Sequence, residues 1–158
     1  MDALFLLSLG ERDEKGMNMR GCHSLPRRLV EDRVEAFREG NFGFIYDSYH
    51  PDAPFLEQFP DREEYLSYAA AEIAGSCTIE RMTVLHERQQ DAGAEVVIQQ
   101  LLKTAAGFQE SFELVRLEMV AGDWKYLGSE RIERKDFQGR PEDLRPKDFE
   151  RVPNRFFF

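Results

Sequence analysis

Two side chains in this 158-residue sequence have the type and setting for acid–base chemistry, His50 and Glu110. His50 stands before Pro51 at the end of an aromatic-rich run, with Asp47 and Asp52 close by. An imidazole beside a carboxylate titrates near neutral pH and can give or take a proton. The same placement suits a structural role, because a histidine at a helix C-terminus bonds the last carbonyls and favours the helix dipole. Glu110 falls early in a long β-type run. Pointing inward, it is a carboxylate in an apolar interior, where burial raises its pKa and makes a general base. At an edge, Arg33 or Arg116 can pair with it. Tyr46, Tyr49, Trp124 and Tyr126 carry polar tips on apolar bodies, and with His50 and Glu110 they form a candidate ligand-binding pocket. Core packing is the competing role for all four. His23 and His86 lack a second ligand four residues on, and no H-E-x-x-H, G-x-S-x-G or Walker loop occurs. Neither a metal nor a cofactor is expected.

These residues need elements to hold them. Leu25 to Gly40 reads as a helix, with Ser24 as N-cap, Pro26 in the first turn and Gly40 just past the end. Leu29, Val30, Val34 and Phe37 recur at helical spacing and make its apolar face. Asn41 caps a second helix, dense in aromatics, that Pro51 ends. Asp52 to Pro60 reads as a loop whose Phe55 and Phe59 fold back on the core. Asp61 and Glu64 resemble a capping box for a third helix that runs to Gly75.

Past Gly75 the period changes to that of strands. Cys77–Glu87 alternates with one break, the mark of a bulge. In Glu95–Thr104, Val96, Ile98, Gln100 and Leu102 share one face, while Val97 and Leu101 share the other. In Phe108–Val120, Phe112, Leu114 and Arg116 oppose Val115, Leu117 and Met119. Gly122-Asp123 signals a hairpin into a fourth strand, Trp124 to Ile132. Three helices followed by a four-stranded antiparallel meander define an α+β fold, with the helices on one face of a curved sheet.

The net charge of −9 disfavours nucleic acid and anionic membrane, because phosphates are repelled. The apolar start, Met1 to Leu9, is too short to span a bilayer and lacks the basic flank of a secretory signal. A start at Met17 or Met19 in place of Met1 stays open. Cys22 and Cys77 stand without a disulfide framework, so reduced thiols and a cytoplasmic location are the expectation. A Cys22–Cys77 bridge is the alternative, which geometry decides. From Asp136 onward five acidic residues balance five basic ones, and Pro141, Pro146 and Pro153 forbid a long helix. That tail ends in Phe156, Phe157 and Phe158, which are expected to dock on the domain or on a partner. The organisation is therefore an N-terminal extension (1–23), one domain (24–135) and a tail (136–158).

One run resembles a known family. Arg33-Val-Glu-Ala36-Phe37-Arg-Glu-Gly40-Asn-Phe42-Gly-Phe44-Ile45-Tyr46-Asp-Ser-Tyr49-His50-Pro51 is similar to the middle domain of the bacterial YchJ proteins, with its R-Y-x-A-[YF]-x-x-G-[DN] start and [WY]-H-P end. Gln109-Glu110-Ser111-Phe112 and Gly122-Asp-Trp124-Lys-Tyr126 are similar to that family's later motif. Order and spacing agree from Leu25 to Gly128. The resemblance implies a nuclear-transport-factor-2-like, or cystatin-like, cone of curved sheet wrapped by helices. Members also carry a SEC-C zinc motif. Here Arg20-Gly21-Cys22-His23 resembles its second half, but the first two cysteines are absent. Two ligands do not make a closed zinc site, so the stretch reads as a metal-free remnant.

Two functions follow. The first is a binding module for a small-molecule or protein ligand, forming a homodimer through its sheet face. The second is a pocket enzyme of isomerase or hydrolase type, with His50 or Glu110 as acid or base.

Overall fold

A computed structural model describes residues 25–151 and the backbone of 155–156. The SEC-C-like stretch with Cys22 and His23, the alternative starts Met17 and Met19, and Phe157 and Phe158 lie outside the described residues.

Helix α1 spans Pro26–Glu39 and buries Leu29, Val30, Arg33 and Ala36 along one face. Its N-cap is Leu25 in extended conformation, without a side-chain cap bond, rather than Ser24. Pro26 in the first turn has no N–H to leave unsatisfied. The helix ends where Gly40 turns left-handed at φ 74°. Gly40 N–H then bonds Phe37 O and Asn41 N–H bonds Ala36 O, a Schellman closure. Helix α2 (Phe42–Asp47) starts at once, with Asn41 Oδ1 accepting from Phe44 N–H at 3.1 Å. It stops before Pro51 is reached. His50 N–H bonds Tyr126 O and Tyr126 N–H bonds Ser48 O, each at 2.9 Å, so the chain leaves the helix to form a parallel bridge with the sheet.

The stretch expected as a loop holds a one-turn helix, α3 (Phe55–Gln58), with Phe55 buried. Its aromatic neighbours explain the order: Phe55 stacks on Tyr49 at 4.3 Å and meets Phe59 and Tyr65. Helix α4 (Arg62–Tyr68) has Asp61 at its N-cap, but no capping-box bond forms there. Arg62 reaches back to pair with Asp47 at 2.9 and 3.0 Å. The helix then widens into a π turn, Ala69–Ile73, and Gly75 at φ 82° redirects the chain into the sheet.

Strands β1 (Cys77–Gln90), β2 (Gly93–Thr104), β3 (Gly107–Val120) and β4 (Asp123–Glu133) form an antiparallel meander. A two-residue strand β5 (Arg155–Phe156) adds to β4 opposite Ser129 and Glu130. Strand β1 slips register twice against β2, once more than its alternation suggests. A third slip lies between β3 and β4 at Arg116/Leu117, where Arg116 faces Gly128 but Leu117 faces Tyr126. Such bulges bend a strand and strengthen its twist, which curls the sheet around the helices.

The sheet separates two cores. Its inner face packs Val96, Ile98, Val115, Leu117, Trp124 and Tyr126 against α1, α2 and the aromatic cluster. Its outer face gathers Val97, Phe112, Leu114 and Ile132 under Leu144 and Phe149 of the C-terminal segment. Three short 3-10 turns carry that segment across the sheet, two of them opened by Pro141 and Pro146.

Candidate functional site

Between α1, the π turn and the inner face of the sheet lies a cavity of about 330 Å³. Small-molecule sites occupy roughly 300–1,000 Å³, with mostly apolar walls and a few convergent polar groups. Here Val30, Val34, Phe37, Ile98, Leu102 and Val115 supply apolar wall. Ile73, Glu72, Ser76 and Cys77 lie at the mouth, delivered there by the π turn and the Gly75 bend. Cys77 is half-buried and carries a free thiol.

The polar side chains of the cavity come from three strands and one helix. Glu113 of β3 is buried, with 4% of its surface exposed. Its Oε2 accepts from Gln100 Nε2 of β2 at 2.6 Å and from Arg131 Nη2 of β4 at 2.8 Å. Register makes this trio: Arg131 lies directly opposite Glu113 on β4, and Gln100 lies diagonally across on β2, two residues from Ile98, which is opposite Glu113. A carboxylate so placed stays in a dry interior only with such partners. Arg33 of α1 enters from the other side. Its guanidinium donates to Ile45 O at 3.0 Å, to Ser48 Oγ and to Tyr49 Oη, and it lies 3.7 Å from the Tyr126 ring centroid. Arg33 thus fastens α1 to the end of α2 and to β4. Burial raises the Tyr126 hydroxyl above the ordinary phenol range, with Arg33 opposing the shift. Burial likewise raises Tyr49 and pushes Tyr65 up to about 12, again against Arg33.

Of the six residues singled out in the sequence, Tyr46, Tyr49, Trp124 and Tyr126 share the inner core, with Tyr49 edge-on to Tyr126 at 5.4 Å, but the six do not line one cavity. Tyr126 alone of them lines the cavity. Tyr49 is buried in the aromatic cluster, and Tyr46 is half-buried there, its hydroxyl donating to Phe59 O at 2.7 Å. Trp124 is fully buried on the inner face, away from the cavity. His50 is buried beside β3: its Nδ1 accepts from Asp52 N–H at 2.9 Å, and its Nε2 lies 3.1 Å from Glu118 Oε1. Since Nδ1 accepts, the ring proton sits on Nε2 and is shared with Glu118. Glu110 is on the outer face with Phe112 and Leu114, bonded by Gln99 Nε2, not by Arg33 or Arg116. Arg116 pairs with Glu95 and Glu130.

Strand parity held the missing signal. Glu113 alternates with Val115 and Leu117, and Gln100 interrupts the apolar row Val96, Ile98, Leu102. Which row faces the helices is a tertiary fact. Arg131 was beyond parity, because the β4 slip at Leu127 moves it onto the face of Tyr126. Among the described residues no cluster of histidine, cysteine and carboxylate side chains could hold a metal ion. No helix among them is long and apolar enough to cross a membrane.

Helices packed on a curved antiparallel meander, with a cavity between, define a protein of the nuclear-transport-factor-2-like class. The chain belongs to the YchJ family in particular: the family model described as "YchJ, middle NTF2-like domain" matches residues 25–129. Among solved structures, it is similar to a SEC-C motif containing protein from Rhodopseudomonas palustris, with TM-score 0.56 and 14% identity over 70% of this chain and 80% of that one. At that identity the likeness shows the fold alone. A protein assigned as a calcium/calmodulin-dependent protein kinase II association domain, from Xanthomonas campestris, gives TM-score 0.46 and 17% identity over 74% of this chain and 96% of that one. No curated protein matches the chain.

Proposed function

We propose that this domain is a small-molecule-binding module whose ligand sits in the cavity between α1 and the sheet. The observation that carries the reading is an apolar space of about 330 Å³ in which buried Glu113 and Gln100 and half-buried Arg131 converge. A core built only for stability is close-packed, and buried polar groups reduce its stability unless they are matched. Here the matched groups lie against open space.

Xenon tests the reading without regard to head group, since apolar cavities take it up. Under xenon pressure, methyl resonances of Val34, Ile98, Leu102 and Val115 should shift together, and Ile98→Trp, which fills the space, should abolish the effect. Shifts confined to the outer face, or none, refute it. His50 and Glu110 do not line this cavity, so no catalytic step is assigned to them. A homodimer through the sheet face would have to form where Leu144 and Phe149 already cover Val97, Phe112, Leu114 and Ile132. Light scattering of the full chain decides that point.

A further inference from the structure

The bonding at the polar end of the cavity specifies the head group of its ligand. All three hydrogen bonds to Glu113 land on one oxygen: Gln100 Nε2 at 2.6 Å, Arg131 Nη2 at 2.8 Å and Arg131 Nε at 3.3 Å all reach Oε2. Among the described residues Glu113 Oε1 has no hydrogen-bond partner. A carboxylate only accepts, so Gln100 must turn its NH2 toward it. That fixes the amide and leaves Gln100 Oε1 as a second acceptor unmatched among the described residues. Neither oxygen is among the described side-chain atoms sealed from solvent without a bond, which are Ser111 Oγ and Trp124 Nε1. Both residues are nine-tenths buried or more and line the cavity, so these oxygens open onto it.

We infer that the cavity selects a compact apolar molecule with a neutral hydrogen-bond-donating head, a hydroxyl or a carboxamide N–H, seated on Glu113 Oε1 and Gln100 Oε1. This rests on the binding reading above and adds the ligand's chemical class. A donor head satisfies acceptors that a dry ligand would strand. A head that only accepts sets lone pair against lone pair, and a site built for a hydrogen bond rejects the analogue that lacks it. Charge argues for neutrality. Among the described residues lining the cavity, Glu72 and Glu113 balance Arg33 and Arg131, so its walls carry no net charge to pair with an anionic or an ammonium head.

The test uses four probes with one apolar body: benzyl alcohol, benzyl methyl ether, benzylamine and benzoate, titrated into the full chain and followed by amide chemical shifts. Benzyl alcohol should bind tightest, by about tenfold over the ether, the size of one hydrogen bond to a charged acceptor. In Glu113→Gln the new amide presents N–H where Oε1 accepted, so the alcohol-to-ether ratio should fall to about one or invert. If that variant fails to fold, Gln100→Leu removes the second acceptor and should lower the same ratio. Equal binding of alcohol and ether, or tighter binding of benzoate or benzylamine, overturns the inference. If xenon enters the cavity but none of the four probes does, the head-group class fails while the binding reading stands. If xenon is also excluded, both fail.

Discussion

Arg33 offers the sharpest test of how the site is held. It is buried, with 7% of its surface exposed, and its guanidinium joins three elements through Ile45 O, Ser48 Oγ and the Tyr126 ring. Arg33→Met keeps an apolar stem of similar reach and deletes the charge. The bonds lost are charge-assisted, together about 1.5–3 kcal/mol, and the contact with Tyr126 adds up to about 2 kcal/mol. Two effects offset this. Methionine needs no desolvation, and Ile45 O keeps its bond from Ser48 Oγ at 2.7 Å, so no carbonyl is orphaned. The net expectation is a loss of about 2 kcal/mol, or ~6 °C in Tm for a chain of this size. Arg33→Lys should lose more, about 3 kcal/mol, because the ammonium stays buried but cannot make the forked contacts. Urea unfolding followed by near-UV circular dichroism gives both numbers, provided the slope with denaturant is unchanged. A lysine variant as stable as the parent, or a methionine variant more stable than it, would refute the assignment of Arg33 as the tie between α1, α2 and β4.

The C-terminal segment should behave as part of the core. Leu144→Ala removes a side chain with no exposed surface and should cost about 2–4 kcal/mol, while truncation after Lys135 should bare Val97, Phe112, Leu114 and Ile132 and cause self-association visible by light scattering. Four of the five tyrosines, half-buried Tyr46 and the buried Tyr49, Tyr65 and Tyr126, have raised pKa values, with burial the first cause in each. Their stabilising effect is complete below the unfolded value of about 10 and is lost as pH rises from there toward about 12 and beyond, because the unfolded chain then releases protons that the folded one retains. Absorbance at 295 nm should therefore show the buried Tyr49, Tyr65 and Tyr126 ionising only with unfolding; all five tyrosines ionising together in the folded state would contradict their burial. In a Cys22→Ser background, benzyl alcohol at saturation should slow alkylation of Cys77 at the cavity mouth several-fold, and an unchanged rate would place the ligand elsewhere.

The sequence alone was sufficient for the order of the long elements, but not for the one-turn α3 or the short β5. Pro26, Gly40, Asn41 and Gly75 act through their own backbone preferences, and these are local. Strand alternation is local too, so the partition of β2 and β3 into two faces was legible, with Val96 and Ile98 against Val97, and Phe112 against Val115. The N-cap positions Asn41 and Asp61 were legible, but the capping-box bond at Asp61 does not form, and the Arg62 pairing with Asp47, fifteen positions away, was not legible. Asp47 is distant in sequence, so no local pattern shows that contact. The end of α2 was misjudged for the same reason. Pro51 forbids helix, but the bridge to Tyr126 had already ended it.

Tertiary structure decided which carboxylate is inside. Glu110 and Glu113 differ by three positions in one strand, so they face opposite ways, and only the side on which α1 lies makes Glu113 the interior one. It also decided that His50 is clamped by Asp52 and Glu118 rather than facing a pocket. The β4 slip, invisible in alternation, brought Tyr126 and Arg131 onto one face although they are five positions apart, an odd spacing. Residue types and their local spacing gave candidates for chemistry. Strand pairing and one-residue register set which of them meet, because a single slip carries a side chain to the other side of the sheet.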